Sequence, residues 1–177
     1  AKETEKEMKA RLMPLGMPNV RFIVDIKDKE LSNNGKDNVV FLFSANKSTD
    51  PQPVSEVASG GEIARVMLSL KALISGVAGL PTIIFDEIDT GVSGAIASKM
   101  AQVMKEMADA GQQVISITHL PQIAAEGVAH YKVEKSETSK GTTSQMRRLT
   151  EEQRVREIAG MLSGDNITEA ALQNARE

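Results

Sequence analysis

The 177-residue chain has no cysteine and no tryptophan, and aromatic residues make up only 3% of it. Without cysteine there is no disulfide scaffold and no thiolate metal site, which suits a reducing cytoplasm. With so few aromatics there are few platforms on which single-stranded bases could stack. No long basic stripe is present, and the net charge is −3. Direct DNA binding through phosphate neutralisation is therefore not supported by this segment. No apolar run is long enough to span a bilayer, and no signal-peptide pattern opens the chain. The first residue is Ala1 rather than Met, as expected of a piece of a longer protein. A last absence concerns nucleotides. No G-x-x-x-x-G-K-[ST] motif occurs: Gly35-Lys36 lacks the upstream glycine and is followed by Asp37. Nothing in the chain can cradle α- and β-phosphates in the usual way.

What is present is an ordinary globular mixture, 41% hydrophobic and 25% charged, long enough for one domain with a real core. Residues 1–12 are charged and favour a helix, with Met8 and Leu12 four apart. Composition favours a solvated helical tail there over the last turns of a longer helix. VRFIVDI (20–26) and NVVFLFS (38–44) read as strands, and Asn33-Asn34-Gly35 between them predicts an antiparallel hairpin. Residues 46–56 read as a loop. Beyond it, helix and strand alternate. The spacing of Ile63, Val66, Met67, Leu70, Leu73, Ile74 and Val77 predicts a helix over 62–77. PTIIFDE (81–87) and QVISIT (113–118) suit strands buried on both faces. Ile96, Met100, Val103, Met104 and Met107 mark a helix over 94–110, closed by Gly111. The nine methionines read as core filling. Pro121 suits the first turn of a short helix. HYKVEK (130–135) and a strand near 145–149 pair across SETSKGTT. Thr150 and Gln153 form a capping box for a helix carrying Val155, Ile158, Ala159 and Leu162 and ended by Gly164, and a short helix follows Thr168. The expected class is α/β, a mostly parallel sheet flanked by helices, with the early hairpin as an antiparallel annex.

Three constellations carry chemistry. Ser59-Gly60-Gly61-Glu62 precedes the 62–77 helix. Its glycines allow close backbone approach, and a helix start offers free N–H groups and a positive dipole end, which suits phosphate. The same Ser59/Glu62 spacing also serves a capping box that needs no ligand. Asp86 and Glu87 end an apolar strand, where α/β proteins bind ligands. One carboxylate there can support Mg²⁺ and the other can take a proton from an attacking water, or the pair is only a strand end meeting solvent. Thr118-His119 ends the next strand. If the strands are neighbours, His119 shares a sheet edge with Asp86 and Glu87. His130 has no such setting and receives no role. Asp89-Thr90-Gly91-Val92-Ser93-Gly94 reads as a tight turn, with Ser93 a cap for the next helix and Asp89 either a turn closer or a signal across an interface.

The order S-G-G-E, apolar strand to D-E, D-x-G-x-S-G, then T-H resembles the motif set of ABC ATPases. Ser59, Gly60, Gly61 and Glu62 match the signature, usually L-S-G-G-Q, from which Ala58 and Glu62 depart. Asp86 matches the Walker B aspartate, Glu87 the catalytic glutamate, Asp89 the D-loop and His119 the switch histidine. V-A-S-G-G-E-I-A-R, I-F-D-E-I-D-T-G-V-S-G, T-H-L-P-Q-I-A and the ending R-V-R-E-I-A-G-M-L-S-G with I-T-E-A-A-L-x-N-A-R-E are similar to the RecN family, SMC-like ATPases of bacterial double-strand-break repair and recombination. The similarity covers most of 20–177 and is weakest at 28–37 and 136–143.

The resemblance implies the C-terminal lobe of a P-loop NTPase head. Residues 1–14 would be the foot of a returning coiled-coil helix, reversing the reading from composition, and 15–177 the lobe itself. The Walker A lobe would come from the N-terminal part of the longer protein, leaving the isolated piece inactive. Two heads of a homodimer would sandwich ATP. Ser59, Gly60 and Gly61 of one head would contact the γ-phosphate on the other, Asp86 would act on Mg²⁺, directly or through water, Glu87 would polarise the attacking water, and His119 would bind the γ-phosphate. The family setting is the bacterial cytoplasm and nucleoid, with DNA engaged by the whole protein and no membrane partner. Two other readings stay open. A transporter nucleotide-binding domain would have a largely helical stretch before the signature, where this chain reads as β. A non-catalytic interaction module would keep the motifs as structure only.

Overall fold

The computed structural model describes residues 1–56, 59–92, 94–138, 141–164 and 166–176. They fall into two compact units, Ala1–Ile117 and Thr118–Glu177.

In the first unit, helix α1 (Lys2–Leu12) is not a solvated tail. Met8 and Leu12 are fully buried in a cluster with Met17, Val20, Phe22, Phe43 and Val66. Two such side chains contribute about 1.5–3 kcal/mol each. Glu5 fixes the helix further, accepting a bond from the Val24 N–H at 2.8 Å. Strands β1 (Arg21–Ser32) and β2 (Gly35–Ser44) form the expected hairpin around Asn33-Asn34. They are longer than the apolar runs alone suggested, because the mostly polar and charged residues 27–38 continue the ladder as an exposed extension with a register shift between Asp28 and Ser32. The stretch expected as loop includes a two-residue strand, β3 (Gln52–Pro53), on the edge of β2, and a 3₁₀ turn (Val54–Glu56).

Helix α2 (Gly60–Ala78) buries more than the predicted stripe. Val66, with Leu70 and Leu73, packs on the hairpin cluster. Leu68, Ser69, Ala72 and Ser75 are buried too, while Met67 and Ile74 of the predicted face are exposed. A helix covered on two sides has no single apolar stripe, which is why the spacing chose partly the wrong residues. Strand β4 (Thr82–Asp86) runs parallel to β5 (Gln113–Ile117), in register from Thr82↔Gln113 to Asp86↔Ile117. Helix α3 (Gly94–Asp109) connects them and buries Ala97, Met100, Ala101, Met104 and Met107. Gly111 closes α3, its N–H donating to the Ala108 carbonyl at 2.9 Å. The expectation of strands buried on both faces fails within this chain. Ile83 and Phe85 are buried, but Ile84, Ile115 and Ile117 of the opposite face are 56%, 42% and 51% exposed. Among the described residues the parallel component amounts to these two strands, since the other sheets are antiparallel.

In the second unit, α4 (Pro121–Glu126) begins with Pro121 in its first turn. Strands β6 (Tyr131–Thr138) and β7 (Gly141–Arg148) pair antiparallel through most of the expected loop, leaving 139 and 140 between them. Helix α5 (Glu151–Ser163) opens with the expected capping box: the Gln153 N–H donates to Thr150 Oγ1 at 3.3 Å, and the Thr150 N–H to Gln153 Oε1 at 3.0 Å. Ile158 and Ala159 are buried, whereas Leu162 is exposed. Helix α6 (Glu169–Asn174) is capped by Thr168. Among the described residues no helix is long and apolar enough to cross a membrane.

Candidate functional site

The site is built from two loops of the first unit, each at the end of an element that the core holds in place. One is the turn into α2. Ser59 is its N-cap residue, with extended backbone, yet its hydroxyl makes no capping bond. The capping box allowed by the Ser59/Glu62 spacing is not formed. The Glu62 and Ile63 N–H groups both turn to the Ser59 carbonyl instead, at 3.1 Å. Ser59 and Gly60 are exposed, and Gly61 is buried. A Cβ on Gly61 would lie 3.0 Å from the Gly91 carbonyl oxygen, so a larger residue would have to push that backbone back by a few tenths of an ångström for the turn to seat on it.

The second loop follows β4. Asp86 and Glu87 stand exposed at the C-terminal end of the strand. Glu87 has φ +48°, alone in the left-handed region among the described non-glycine residues. That conformation is unfavourable for a residue with a Cβ and persists where neighbours impose it. Here the Glu87 N–H donates to the Ile117 carbonyl at 3.1 Å, and the Glu87 carbonyl accepts from Thr90 Oγ1 at 3.0 Å. The adjacent strand β5 thus sets the Glu87 backbone, and the side chain is left in solvent. Asp89 is buried at 1% exposure, and its carbonyl accepts from the Val92 N–H at 3.1 Å. Ser93, a candidate cap for α3, lies outside the described residues, as does Ala58.

The strands are neighbours, as the sheet-edge argument requires. His119 follows the end of β5 by two residues, is exposed, and belongs to the second unit. The Thr118 hydroxyl accepts from the Leu120 N–H at 3.0 Å and shapes that turn. The first unit therefore brings Ser59, Gly60, Gly61, Glu62, Asp86, Glu87 and Asp89 into two loops in backbone contact. Among the described residues no three His, Asp or Glu side chains converge to hold a metal.

Sequence reasoning passed over two basic residues of α2. Arg65 donates from Nε to the Gly61 carbonyl and from Nη1 to the Leu15 carbonyl, both at 2.8 Å. Lys71 lies with its Nζ 5.3 Å from the centre of the Phe85 ring on β4. Arg65 stands within the quoted V-A-S-G-G-E-I-A-R string. Its spacing of four from Gly61 was a signal that it could reach back over the first turn of the helix.

No family model matches the chain. Curated proteins do. It is 43% identical over 183 residues to the DNA repair protein RecN of Deinococcus radiodurans, and 39% identical over 165 residues to that of Haemophilus influenzae. The first match covers 100% of this chain and the second 92%. The chain belongs with the RecN proteins. It spans about a third of the length of these relatives, 32% and 29% respectively. Among solved structures, an Smc head domain with a coiled coil and joint from Pyrococcus yayanosii superposes with TM-score 0.69 at 21% identity, over 89% of this chain and 28% of that one. A structure described as "Structural biochemistry of ATP-driven dimerization and DNA stimulated activation of SMC ATPases" gives TM-score 0.60 at 20% identity, covering 93% of this chain and 94% of that one. At such identity these matches speak for the fold, an α/β lobe of the SMC-head type.

Proposed function

We propose that this RecN segment is the C-terminal lobe of an ATP-hydrolysing head that acts in DNA double-strand-break repair and recombination in the bacterial cytoplasm and nucleoid. In this reading it contributes the signature and the water-activating carboxylate, while its own N-terminal lobe contributes the phosphate cradle. The observation that carries the reading is Glu87. Its backbone is held in a costly conformation by strand β5 and a threonine, while its side chain is spared for solvent. Strain of that kind gathers where a side chain must be aimed.

Glu87 then accepts a proton from, and orients, the attacking water. Ser59 is suited to a γ-phosphate on the partner head, because its hydroxyl is not used as a cap and the first turn of α2 offers N–H groups. His119 is the γ-phosphate donor on the lobe's own side. Asp86 fits one carboxylate oxygen for Mg²⁺, directly or through water, with the remaining positions left to nucleotide oxygens and water. When bound, Mg²⁺ would neutralise charge developing on the phosphates. Asp89, buried and bonded through its carbonyl to the Val92 N–H, orders the turn that backs the signature.

The exposed face of Ile84, Ile115 and Ile117 favours a covering lobe, since parallel strands are normally buried on both sides. The segment's length, about a third of its relatives, leaves room for that lobe and for a coiled coil ending in α1. DNA would be engaged by the whole protein, consistent with the net charge of −3 here.

The test uses the full-length protein. Glu87→Gln is expected to lower ATP turnover by at least about a hundredfold, the scale of a lost general base, while ATP-driven dimers persist. Turnover at the parental rate would end the assignment.

A further inference from the structure

The second function of α2 lies in how its first turn is held. Arg65 forms two bonds with one guanidinium. Its Nε binds the carbonyl of Gly61, inside the signature, and its Nη1 binds the carbonyl of Leu15, just past the end of α1. The junction after α1 is confined on another side as well. Gly16 has φ +83°, and a Cβ there would fall 2.7 Å from Ile96 Cδ1 on α3 and 3.4 Å from Arg65 Nη1. Gly61 in turn seats against Gly91, in the turn after Glu87. One side chain therefore bridges the foot of α1 and the signature, and the signature rests on the D-loop. The other end of the link is rigid too, because Met8 and Leu12 bury α1 in the core that holds Val66 of α2.

We propose that Arg65 is a positioning residue: it ties the foot of α1 to the signature turn, so that the presentation of Ser59, Gly60 and Gly61 follows where α1 ends. This rests on the ATPase reading above. A planar fork with donors at fixed angles satisfies two carbonyls at once and fixes the distance between them, which the single ammonium of a lysine on its flexible stem does not do. A shift of α1 that carries the Leu15 carbonyl away pulls the guanidinium from Gly61. Because a signature serves the nucleotide held by the other head, the consequence of losing Arg65 appears in trans.

That direction gives the test. In full-length protein, Arg65→Ala and Arg65→Lys are expected to lower kcat more than about tenfold, the scale of a small misplacement of reacting groups. KM for ATP should stay within about twofold, because the cradle lies on the other lobe. Arg65→Ala protein is then mixed in equal amounts with Glu87→Gln protein and allowed to exchange partners. Half of the dimers become mixed. In each, one site pairs an intact Glu87 with an intact signature, so about a quarter of the parental rate should return. A mixture no more active than the two variants alone, or an Arg65→Lys protein with the parental kcat, overturns the proposal. Failure of the underlying reading looks different: Glu87→Gln protein would by itself turn over ATP at the parental rate.

Discussion

Two residues of this chain, Ser59 and Thr150, precede helices with the same S/T-x-x-E/Q spacing, and they behave differently. Thr150 closes a full capping box with Gln153. Ser59 makes no capping bond, although Glu62 stands where a box would need it. The difference has a physical cause outside the tetrad: Gly61 is seated against Gly91, and Arg65 grips the Gly61 carbonyl, so the first turn is fixed without help from the cap. The two serve as mutual controls. Thr150→Ala should cost about 1 kcal/mol of stability, the usual worth of such a cap. Ser59→Ala, at an exposed site with no such bond to lose, should change stability by less than about 0.5 kcal/mol. Urea unfolding of this chain measures both. In the full-length protein the ranking should invert, with Ser59→Ala abolishing turnover and Thr150→Ala leaving most of it. The candidate site residues could be nominated from the sequence, because four motifs in that order are hard to produce otherwise. The positive φ of Glu87 and the bridge made by Arg65 were not, because each depends on partners distant in sequence, Ile117 and Leu15.

At the scale of elements, most boundaries followed from periodicity and punctuation, as with Pro121 opening α4 and Gly164 ending α5. The errors occurred where an element touches more than one neighbour or fewer than assumed. Helix α2 is buried on two sides, so a single stripe misplaced Met67 and Ile74. The hairpins ran past their apolar cores because backbone pairing continues where side chains are charged. The turn into β6 holds a titratable group to which the spacing gave no role. His130 has its Nδ1 buried without a hydrogen-bond partner. Burial lowers its pKa below the ordinary 6.5, against the pull of Glu157, with Arg154 and Lys132 lowering it further. The sign follows. The unfolded chain binds the proton more tightly than the folded one, so stability is full above about pH 6.5 and falls as the pH drops through that value toward the depressed folded pKa. Tyr131 is the sole tyrosine, there is no tryptophan, and it lies beside His130, so its fluorescence reports this unit selectively. Urea midpoints read from Tyr131 should fall between about pH 7.5 and 5.5, and His130→Asn should remove part of that slope. An unchanged slope in the variant would assign the acid sensitivity to other groups.

For the whole molecule, the decisive feature is the pair β4 and β5, which have the sequence of doubly buried strands and the burial of singly covered ones. The apolar runs that read as interior are interior only for Ile83 and Phe85; Ile84, Ile115 and Ile117 face outward. Sequence patterns report the environment for which a strand is built, and under the proposed reading this pair is built for a cover that the described residues do not supply. That distinction yields a comparison between two forms of the same protein. In this chain alone, Ile115→Lys replaces an exposed side chain and should alter unfolding free energy by less than about 0.5 kcal/mol, while reducing self-association of the apolar face. In the full-length protein the same lysine would sit beneath the other lobe. It would lose the burial of an isoleucine and leave a charge without a partner, a cost of more than about 2 kcal/mol. Thermal unfolding of the two parental forms and their Ile115→Lys variants separates the cases. A substitution as silent in the full-length protein as in this chain would mean that the face stays open to solvent, and the covering lobe would have to be sought elsewhere on the surface.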